Sequence, residues 1–338
     1  MARLMLAGTP ADVIYETVGI EALRLNPENP RIRFLLKHTG GKKDQKSLME
    51  LIKAQPGYDK IQKAIRKANG LHDPIVTTHD GLVIEGNNRT TAVATLHGGA
   101  KQDKRWQTVP VMRLPRNIDA KTLALLMAGY HIGGKTRWRA YAQAEHIYTM
   151  VKDHGASITQ IADEARMSEL EVQQYLDAFD YLVNEVLPHA KNGNGTDILE
   201  SKWSHALEFI KTKKNAEHRK NASTRKVVAK LIAEDKIKGA EVRKLDEVIS
   251  NRKAKAELKK SGFKAASRAL ADDDPVAGSK LLRQVQALTA TLGKMGQSDI
   301  ALLKKSAAAR KVVKELRDAI DTVADVVGIA RNNNNGKA

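Results

Sequence analysis

The order of hydrophobic and polar positions differs between the two parts of the chain. Up to about residue 115, short apolar runs separated by turn residues predict a mixed set of strands and helices. The predicted strands lie at 74–78, 82–85 and 109–114, and the predicted helices at 45–54, 58–68 and 90–96. From about Ala120, apolar residues recur with helical spacing almost to the end. This pattern predicts an α+β N-terminal domain followed by all-α helix-turn-helix and C-terminal helical domains.

Turn-rich segments divide the chain into four predicted parts. The parts are an α+β domain at 1–118, a helix-turn-helix domain at 119–190, a basic helical domain at 191–330 and a disordered tail at 331–338. The best linker candidate is the NGNGT segment at 192–196. Near the C-terminus, apolar spacing between Ser298 and Val327 predicts one amphipathic helix, in a bundle or a dimer seam.

Composition excludes several classes of site. The 338 residues include no cysteine, so a disulfide framework, a thiolate zinc site and a cysteine nucleophile are excluded. No run of about 18 apolar residues is present, so no membrane span is predicted. The apolar start of the chain is too short for a signal peptide, and the expected compartment is the cytoplasm.

The net charge of +18 is concentrated in the C-terminal part of the chain. Residues 1–200 hold 26 Lys and Arg against 23 Asp and Glu, whereas residues 201–338 hold 31 against 16. Such an excess predicts either a solvated basic face or phosphate contacts that depend steeply on salt. Aromatic residues make up only 4% of the chain, which favours duplex DNA over stacked single strands. We therefore expect a nucleoid-associated protein.

A strand–glycine–helix element carries the most specific chemistry. The sequence LVIEGNNRTTA at 82–92 predicts a strand, then a glycine turn, then a helix. Gly86 allows close backbone approach to a ligand, and the N-terminus of a helix attracts an anion. Arg89 and the hydroxyls of Thr90 and Thr91 would complete a phosphate cradle. An ordinary capped helix with a surface arginine is the alternative interpretation.

A second element, LNPENPR at 25–31, places another arginine after a rigid proline turn. Together the two elements resemble the N-terminal domain of the ParB partition-protein family, in which "NPxQPR" and "GERRxRA" segments line a CTP pocket. The matching residues are Asn26, Pro27, Pro30, Arg31, Gly86, Arg89 and Ala92. Asn87 and Asn88 stand where the family has Glu and Arg. The resemblance implies a pocket that binds CTP or another nucleotide, with Mg²⁺ as a further cofactor.

The third family segment, "ENIQR", has its nearest counterpart at Tyr130 and His131. The family's Glu and Asn, which serve the metal and hydrolysis, are not matched there. No catalytic residue and no metal ligand is therefore assigned, and a weak CTPase activity is left open. Together, the phosphate cradle and the resemblance give the predicted nucleotide-binding residues, which are Arg31, Gly86, Asn87, Asn88, Arg89, Thr90, Thr91 and His131.

The segment 158–176 has the spacing of a helix-turn-helix, with small Ala162 at the helix crossing and Ser168 as the second N-cap. Gln173 and Gln174 would face outward and read base edges. Acidic residues on the same helix oppose DNA contact, so a scaffold or a protein-contact surface is the alternative. The basic segment beyond it would then supply the affinity. The predicted DNA-binding residues are Ser168, Gln173, Gln174, Lys211, Lys213, Lys214, Arg219, Lys220, Arg225 and Lys226.

These observations lead to one principal hypothesis and two alternatives. The first is a ParB-like DNA-binding homodimer whose nucleotide pocket controls clamp-like closure on duplex DNA, in partition or gene regulation on a plasmid, phage or chromosome. The resemblance also implies a partition ATPase as a partner. One alternative is an enzyme of the same fold, a metal-dependent nuclease or a nucleotide-dependent kinase, in which Glu85 acts as a base or ligand. The other is a structural DNA-binding protein with a degenerate pocket.

Overall fold

The computed structural model describes residues 2–39, 41–99, 103–134, 138–190 and 195–329. The strands are β1 (Ala2–Leu6), β2 (Thr9–Gly19), β3 (Ile75–Thr77), β4 (Val83–Glu85) and β5 (Thr108–Arg113). The helices up to residue 181 are α1 (Pro30–Thr39), α2 (Gln45–Lys53), α3 (Tyr58–Ala68), α4 (Asn87–His97), α5 (Ala120–His131), α6 (Ala140–Lys152), α7 (Ile158–Ala165) and α8 (Glu169–Tyr181).

The later helices continue the all-α part of the chain. They are α9 (Gly195–Lys211), α10 (Ala216–Lys220), α11 (Ala222–Ala233), α12 (Gly239–Val242), α13 (Leu245–Ile249), α14 (Arg252–Ser261), α15 (Phe263–Asp273), α16 (Pro275–Gly278), α17 (Lys280–Leu292), α18 (Gln297–Lys305) and α19 (Ala307–Val326). The predicted order, an α+β part followed by an all-α part, is confirmed.

The five strands form one mixed sheet in the order β1-β2-β5-β3-β4. Only β3 and β5 run parallel, and the other neighbouring pairs are antiparallel. The hairpin of β1 and β2 was not among the predicted strands. Its two-residue turn uses Ala7 and Gly8 at φ 45° and 80°. Sequence patterns miss such a turn because an alanine rarely adopts positive φ.

The core of the N-terminal part lies on one face of this sheet. Ile75, Val83, Val109 and Val111 are at most 2% exposed and pack in one cluster with apolar residues of α1 to α4. Branched aliphatic residues suit this face because they fill the pleated surface of a strand. The opposite face of the sheet is left for the cleft described below.

Helices α7 and α8 occupy the segment predicted as a helix-turn-helix, and that assignment stays a prediction. Arg166 closes α7 in the left-handed conformation at φ 52°, and Ser157 and Ser168 each form a capping box at the start of their helix. Ala162 and Val172 are buried, as the crossing of two closely packed helices requires. The sequence therefore specifies both the start of each helix and their packed faces.

Contacts between Cα atoms divide the chain into two units, Met1–Ser267 and Arg268–Ala338. The predicted domain boundaries near residues 118 and 190 lie inside the first unit and stay predictions. The predicted tail at 331–338 and residues 192–194 of the predicted linker lie outside the described residues. In the described ranges, no helix is both long enough and apolar enough to cross a bilayer.

The single helix predicted between Ser298 and Val327 is wrong. Two helices, α18 and α19, occupy this segment, and Ser306 separates them in an extended conformation. The Ser306 side chain accepts a hydrogen bond from the Ala309 N–H at 3.2 Å. A serine that caps a new helix therefore interrupts the apolar periodicity.

The core position of Ile75 gives a stability test. We expect Ile75→Ala to lower the free energy of unfolding by about 2–5 kcal/mol, because the side chain is fully buried and its removal leaves a cavity. Leu170→Ala is the matched control, since Leu170 is 67% exposed and should change stability by less than about 0.5 kcal/mol. Urea unfolding followed by circular dichroism measures both variants, and equal midpoints would contradict the placement of Ile75.

Candidate functional site: a cleft at the arginine segments and a second cleft behind α8

A cleft of about 700 Å³ lies over the face of the sheet that is not occupied by the core. Its floor is one row of cross-strand neighbours, in which Tyr15 pairs with Met112, Met112 with Val76 and Val76 with Glu85. Paired residues on adjacent strands point to the same face, so all four side chains line the cleft. The row runs from an apolar end at Tyr15 to a charged end at Glu85.

The charged end of the cleft is built around the start of α4. Gly86 is the N-cap residue at φ 102°, where a Cβ would lie 3.3 Å from Ile75 Cγ1 and 3.2 Å from Arg89 Nη2. Glycine is favoured there because the positive φ would strain any other residue and a Cβ would force its neighbours to shift. The first backbone N–H groups of a helix have no acceptor within it, so they attract an anion.

Asn87 connects the two arginine segments. Its Oδ1 accepts a hydrogen bond from the Asn26 N–H at 3.1 Å, and its Nδ2 donates to the Val83 carbonyl at 3.4 Å. The side chain is only 5% exposed, so these bonds are shielded from water. In the first segment, Asn29 Oδ1 accepts from the Arg31 N–H at 3.1 Å and orients the start of α1. Asn87 thereby holds Arg31 beside the N-terminus of α4.

Arg89 is engaged within the protein. One guanidinium nitrogen donates to the Asp73 carbonyl at 2.7 Å, and another forms an ion pair with the Glu85 carboxylate. Both charged side chains are about one-fifth exposed. An anionic ligand at this end would therefore compete with Glu85 for the guanidinium. The sequence suggested Glu85 only as a base or ligand in the enzyme alternative, and its pairing with Arg89 was not predicted.

The protonation of the charged end follows from its burial. Burial raises the pKa of the Glu85 carboxyl above its ordinary value, while Arg89 opposes the rise and Asp73 adds to it. Burial also lowers the pKa of the Arg31 guanidinium, and Glu85 opposes that change. Burial and the negative charge of Glu85 raise the pKa of the Tyr130 phenol. These groups form one electrostatic cluster, which a ligand phosphate would enter.

His131 lines the same cleft from the C-terminal end of α5. Its ring stacks on the Trp138 indole with 4.6 Å between centroids and an interplanar angle of 25°. The neighbouring Tyr130 also lines the cleft. The third segment is thus close to the other two, although its residue types differ from those of the ParB family.

The structure brings together six of the eight predicted nucleotide-binding residues. The six that line the cleft are Arg31, Gly86, Asn87, Asn88, Arg89 and His131. Thr90 and Thr91 are not among its lining residues. Both are buried, and the Thr90 hydroxyl donates to the Gly86 carbonyl at 3.0 Å. The Thr90 hydroxyl is therefore used within the first turn of α4, and Thr91 is fully buried, so neither side chain reaches the cleft.

The charged end suits a polyanion better than a bare metal ion. Asp73 and Glu85 are the carboxylates that line the cleft within the described ranges, and Glu85 is already paired with Arg89. No group of three or more His, Asp or Glu side chains in the described part of the chain is arranged to hold a metal ion. A phosphate, in contrast, would meet two guanidinium groups and a helix N-terminus.

A second cleft, of about 650 Å³, lies between α8 and the helices α9 to α11. Seven predicted DNA-binding residues line it, namely Gln173, Gln174, Lys211, Lys213, Arg219, Lys220 and Arg225. Asp177 and Asp180 line it too, so its charge is mixed. Ser168, Lys214 and Lys226 are not among its lining residues, and Ser168 serves as the N-cap of α8.

Several polar groups of this second cleft are held by the protein itself. Arg225 forms an ion pair with Glu185, and its guanidinium lies 5.2 Å from the centre of the Tyr181 ring. Arg219 donates to two backbone carbonyls at 2.9 Å. The Gln173 amide donates to the Asp177 carboxylate at 2.7 Å.

The charges most accessible to a phosphate backbone are those of three exposed lysines, Lys213, Lys214 and Lys226.

The pair of Glu85 and Arg89 predicts a pH dependence of anion binding. Because the pKa of Glu85 is raised, lowering the pH protonates it earlier than an ordinary glutamate and frees Arg89. Tripolyphosphate should therefore bind more tightly as the pH falls from about 8 to about 5. At about pH 8, Glu85→Gln should bind tripolyphosphate more tightly than the wild type does. The affinity of the variant should also lose the part of the pH dependence that comes from titration of the Glu85 carboxyl.

Calorimetry on both proteins with the same anion makes this comparison, since titration of the ligand is common to the two. Parallel pH profiles for the wild type and Glu85→Gln would show that Glu85 does not compete for Arg89.

No protein-family model and no curated protein matches this chain. Solved structures similar to it include the C-terminally truncated chromosome-partitioning protein ParB from Caulobacter crescentus complexed to the centromeric parS site. That match has 14% identity and a TM-score of 0.36, and covers 68% of this chain and 98% of that chain.

Two structures of a pNOB8-like ParB N-domain are also similar, each at 13% identity. They cover 93% and 92% of this chain and 99% and 91% of their own chains, with TM-scores of 0.28 and 0.30.

Proposed function

We propose that this chain is a ParB-like DNA-binding protein whose N-terminal cleft binds a nucleotide of the CTP type. The observation that supports the proposal most directly is the convergence of Arg31, Gly86, Asn88, Arg89 and His131 on one cleft. These residues lie up to 100 positions apart in the sequence, and they line the same cleft. Two guanidinium groups beside free helix N–H groups are suited to phosphate oxygens.

Nucleotide binding would require a rearrangement at the charged end. The phosphates would take over Arg89 from Glu85, and the released carboxylate would turn away from the ligand's negative charge. Mg²⁺ bound together with the nucleotide would reduce the phosphate charge. This exchange gives the cleft two arrangements, which is what a switch needs in order to bias closure of the protein around DNA.

Duplex DNA is the proposed partner of the helical part. The segment 202–260 has 18 basic and eight acidic residues, which favours contacts to the phosphate backbone. Within the second cleft, Asp177 and Asp180 would repel phosphates, so the exposed lysines beside it are the better contacts. DNA partition and gene regulation are both compatible with such a protein, and a partition ATPase would be a further partner in the first case.

A homodimer is part of the same proposal, and α19 supports it. Val313, Leu316, Ile320, Val323 and Val327 follow the 3–4 spacing of a coiled-coil seam. Ile320 and Val323 are 52% and 61% exposed. Such a seam is stable in water only when another helix covers it, and a second copy of the chain offers the same seam.

The charges on α19 indicate how two copies would pair. The first half of the helix carries Arg310, Lys311 and Lys314 with Glu315, a net charge of +2. The second half carries Asp318, Asp321 and Asp325 with Arg317, a net charge of −2. Antiparallel pairing of two copies would place each basic half beside an acidic half. Parallel pairing would place like charges together.

The enzyme alternative has a direct test. A metal-dependent nuclease would nick supercoiled plasmid in the presence of Mg²⁺ or Mn²⁺, and Glu85→Gln would lose that activity. A kinase would transfer phosphate from the bound nucleotide to an acceptor. The ion pair between Glu85 and Arg89 gives neither activity specific support.

The nucleotide proposal predicts a loss of affinity on removal of an arginine. Arg31→Ala and Arg89→Ala should each weaken CTP binding about 10- to 100-fold, because each loses a charge-assisted hydrogen bond to phosphate. Arg66→Ala is the matched control, since Arg66 is exposed on α3 and outside the cleft. Calorimetry with CTP and ATP measures the effect. If the wild type binds neither nucleotide, the proposed function is wrong.

The DNA proposal predicts a change in salt dependence. The double variant Lys213→Ala and Lys214→Ala should bind duplex DNA more weakly and reduce the slope of log affinity against log salt by about 2. Lys63→Ala with Lys67→Ala, on the exposed side of α3, is the control with the same change of charge. Fluorescence anisotropy between about 50 mM and 200 mM salt measures the slopes. A wild-type affinity that does not change with salt would exclude DNA as the partner of these lysines.

A further inference from the structure

The apolar end of the N-terminal cleft has no role in the function proposed so far. It is lined by Leu4, Met5 and Leu6 of β1 and by Tyr15 of β2. From α5, Leu126 and Tyr130 line the cleft as well. This end is therefore lined by hydrophobic residues, in contrast to the arginines at the other end.

Two side chains at this end are more exposed than their chemistry favours. Met5 is 65% exposed and Tyr15 is 53% exposed. Among the described residues before Leu170, Met5 and Tyr15 are the large hydrophobic residues that are more than half exposed. Neighbouring exposed apolar groups that line one cleft usually mark a binding surface.

The sheet fixes the distance between the two ends. Tyr15, Met112, Val76 and Glu85 occupy successive strands β2, β5, β3 and β4 in one row. Neighbouring strands are about 4.8 Å apart, so the row from Tyr15 to Glu85 spans roughly 14 Å. An extended mononucleotide with its phosphate chain has a comparable length. One ligand can therefore contact both ends at the same time.

Tyr130 lines the cleft from α5, together with Leu126. Burial raises the pKa of its phenol, and the charged forms of Glu85, Arg89 and Tyr15 also affect that pKa. Its helix, α5, faces the sheet across the cleft and is in contact with β4. A planar group entering the apolar end would thus have the sheet row on one side and α5 on the other.

We propose that Tyr15, on the β1–β2 hairpin, stacks on the base of a nucleotide whose phosphates lie at Arg31 and the N-terminus of α4. This proposal rests on the proposed function and adds the residue that distinguishes a nucleotide from a bare polyphosphate. An aromatic ring contributes affinity for any base, because every base has a planar face. Tyr15 is therefore a determinant of ligand class.

The test compares CTP with tripolyphosphate, which carries the phosphates and lacks the base. Tyr15→Ala should weaken CTP binding about tenfold and leave tripolyphosphate binding unchanged. Tyr15→Phe should keep CTP affinity within about twofold, because it retains the ring. Arg31→Ala should weaken both ligands. Isothermal titration calorimetry on the full chain measures each pair.

The outcomes separate this proposal from the one on which it rests. Undiminished tripolyphosphate binding by Tyr15→Ala shows that the variant is folded, so a loss of CTP affinity alone supports stacking. Equal CTP affinity in the wild type and Tyr15→Ala, or equal losses for both ligands, overturns the role of Tyr15 while nucleotide binding stands. If the wild type binds neither ligand, both proposals are wrong.

Discussion

A buried hydrogen bond from the Asn26 N–H to Asn87 Oδ1 holds the N-terminal site together. It joins a turn that carries Arg31 to a helix start that carries Arg89. The two segments are more than 50 residues apart in the sequence, and strands and helices lie between them. Because the bond is buried, removing the Asn87 acceptor would leave the Asn26 N–H without a partner at a cost of about 1–3 kcal/mol. Asn87 thus contributes a hydrogen bond that joins the two segments, and it carries no charge.

The charged end of the cleft shows how burial and charge are balanced. Arg31, Arg89 and Glu85 share a confined space, where an unpaired charge is costly. Glu85 neutralises Arg89 when the cleft holds no anion, and a phosphate group would supply the same charge. The two arrangements differ mainly in which anion contacts the guanidinium. A site of this kind responds to ligand concentration and to pH together.

The net charge of +18 divides between structural and exposed positions. Arg219 and Arg225 contact carbonyls and Glu185. Lys213, Lys214 and Lys226 are exposed. A count of basic residues therefore overstates the charge that is free to meet a polyanion.

The sequence by itself determined the order of α+β and all-α parts, the approximate bounds of β3 to β5 and of α2 to α4, and the position of the two arginine segments. It could do so because turn glycines, prolines and apolar spacing act locally. It missed the β1–β2 hairpin, since Ala7 at positive φ gives no usual turn signal, and it missed the break at Ser306. Only the tertiary structure decided that Thr90 and Thr91 face inward, that Glu85 pairs with Arg89, and that Tyr15 shares a row with Glu85. Those facts depend on strand register and long-range packing, which no local pattern in the chain encodes.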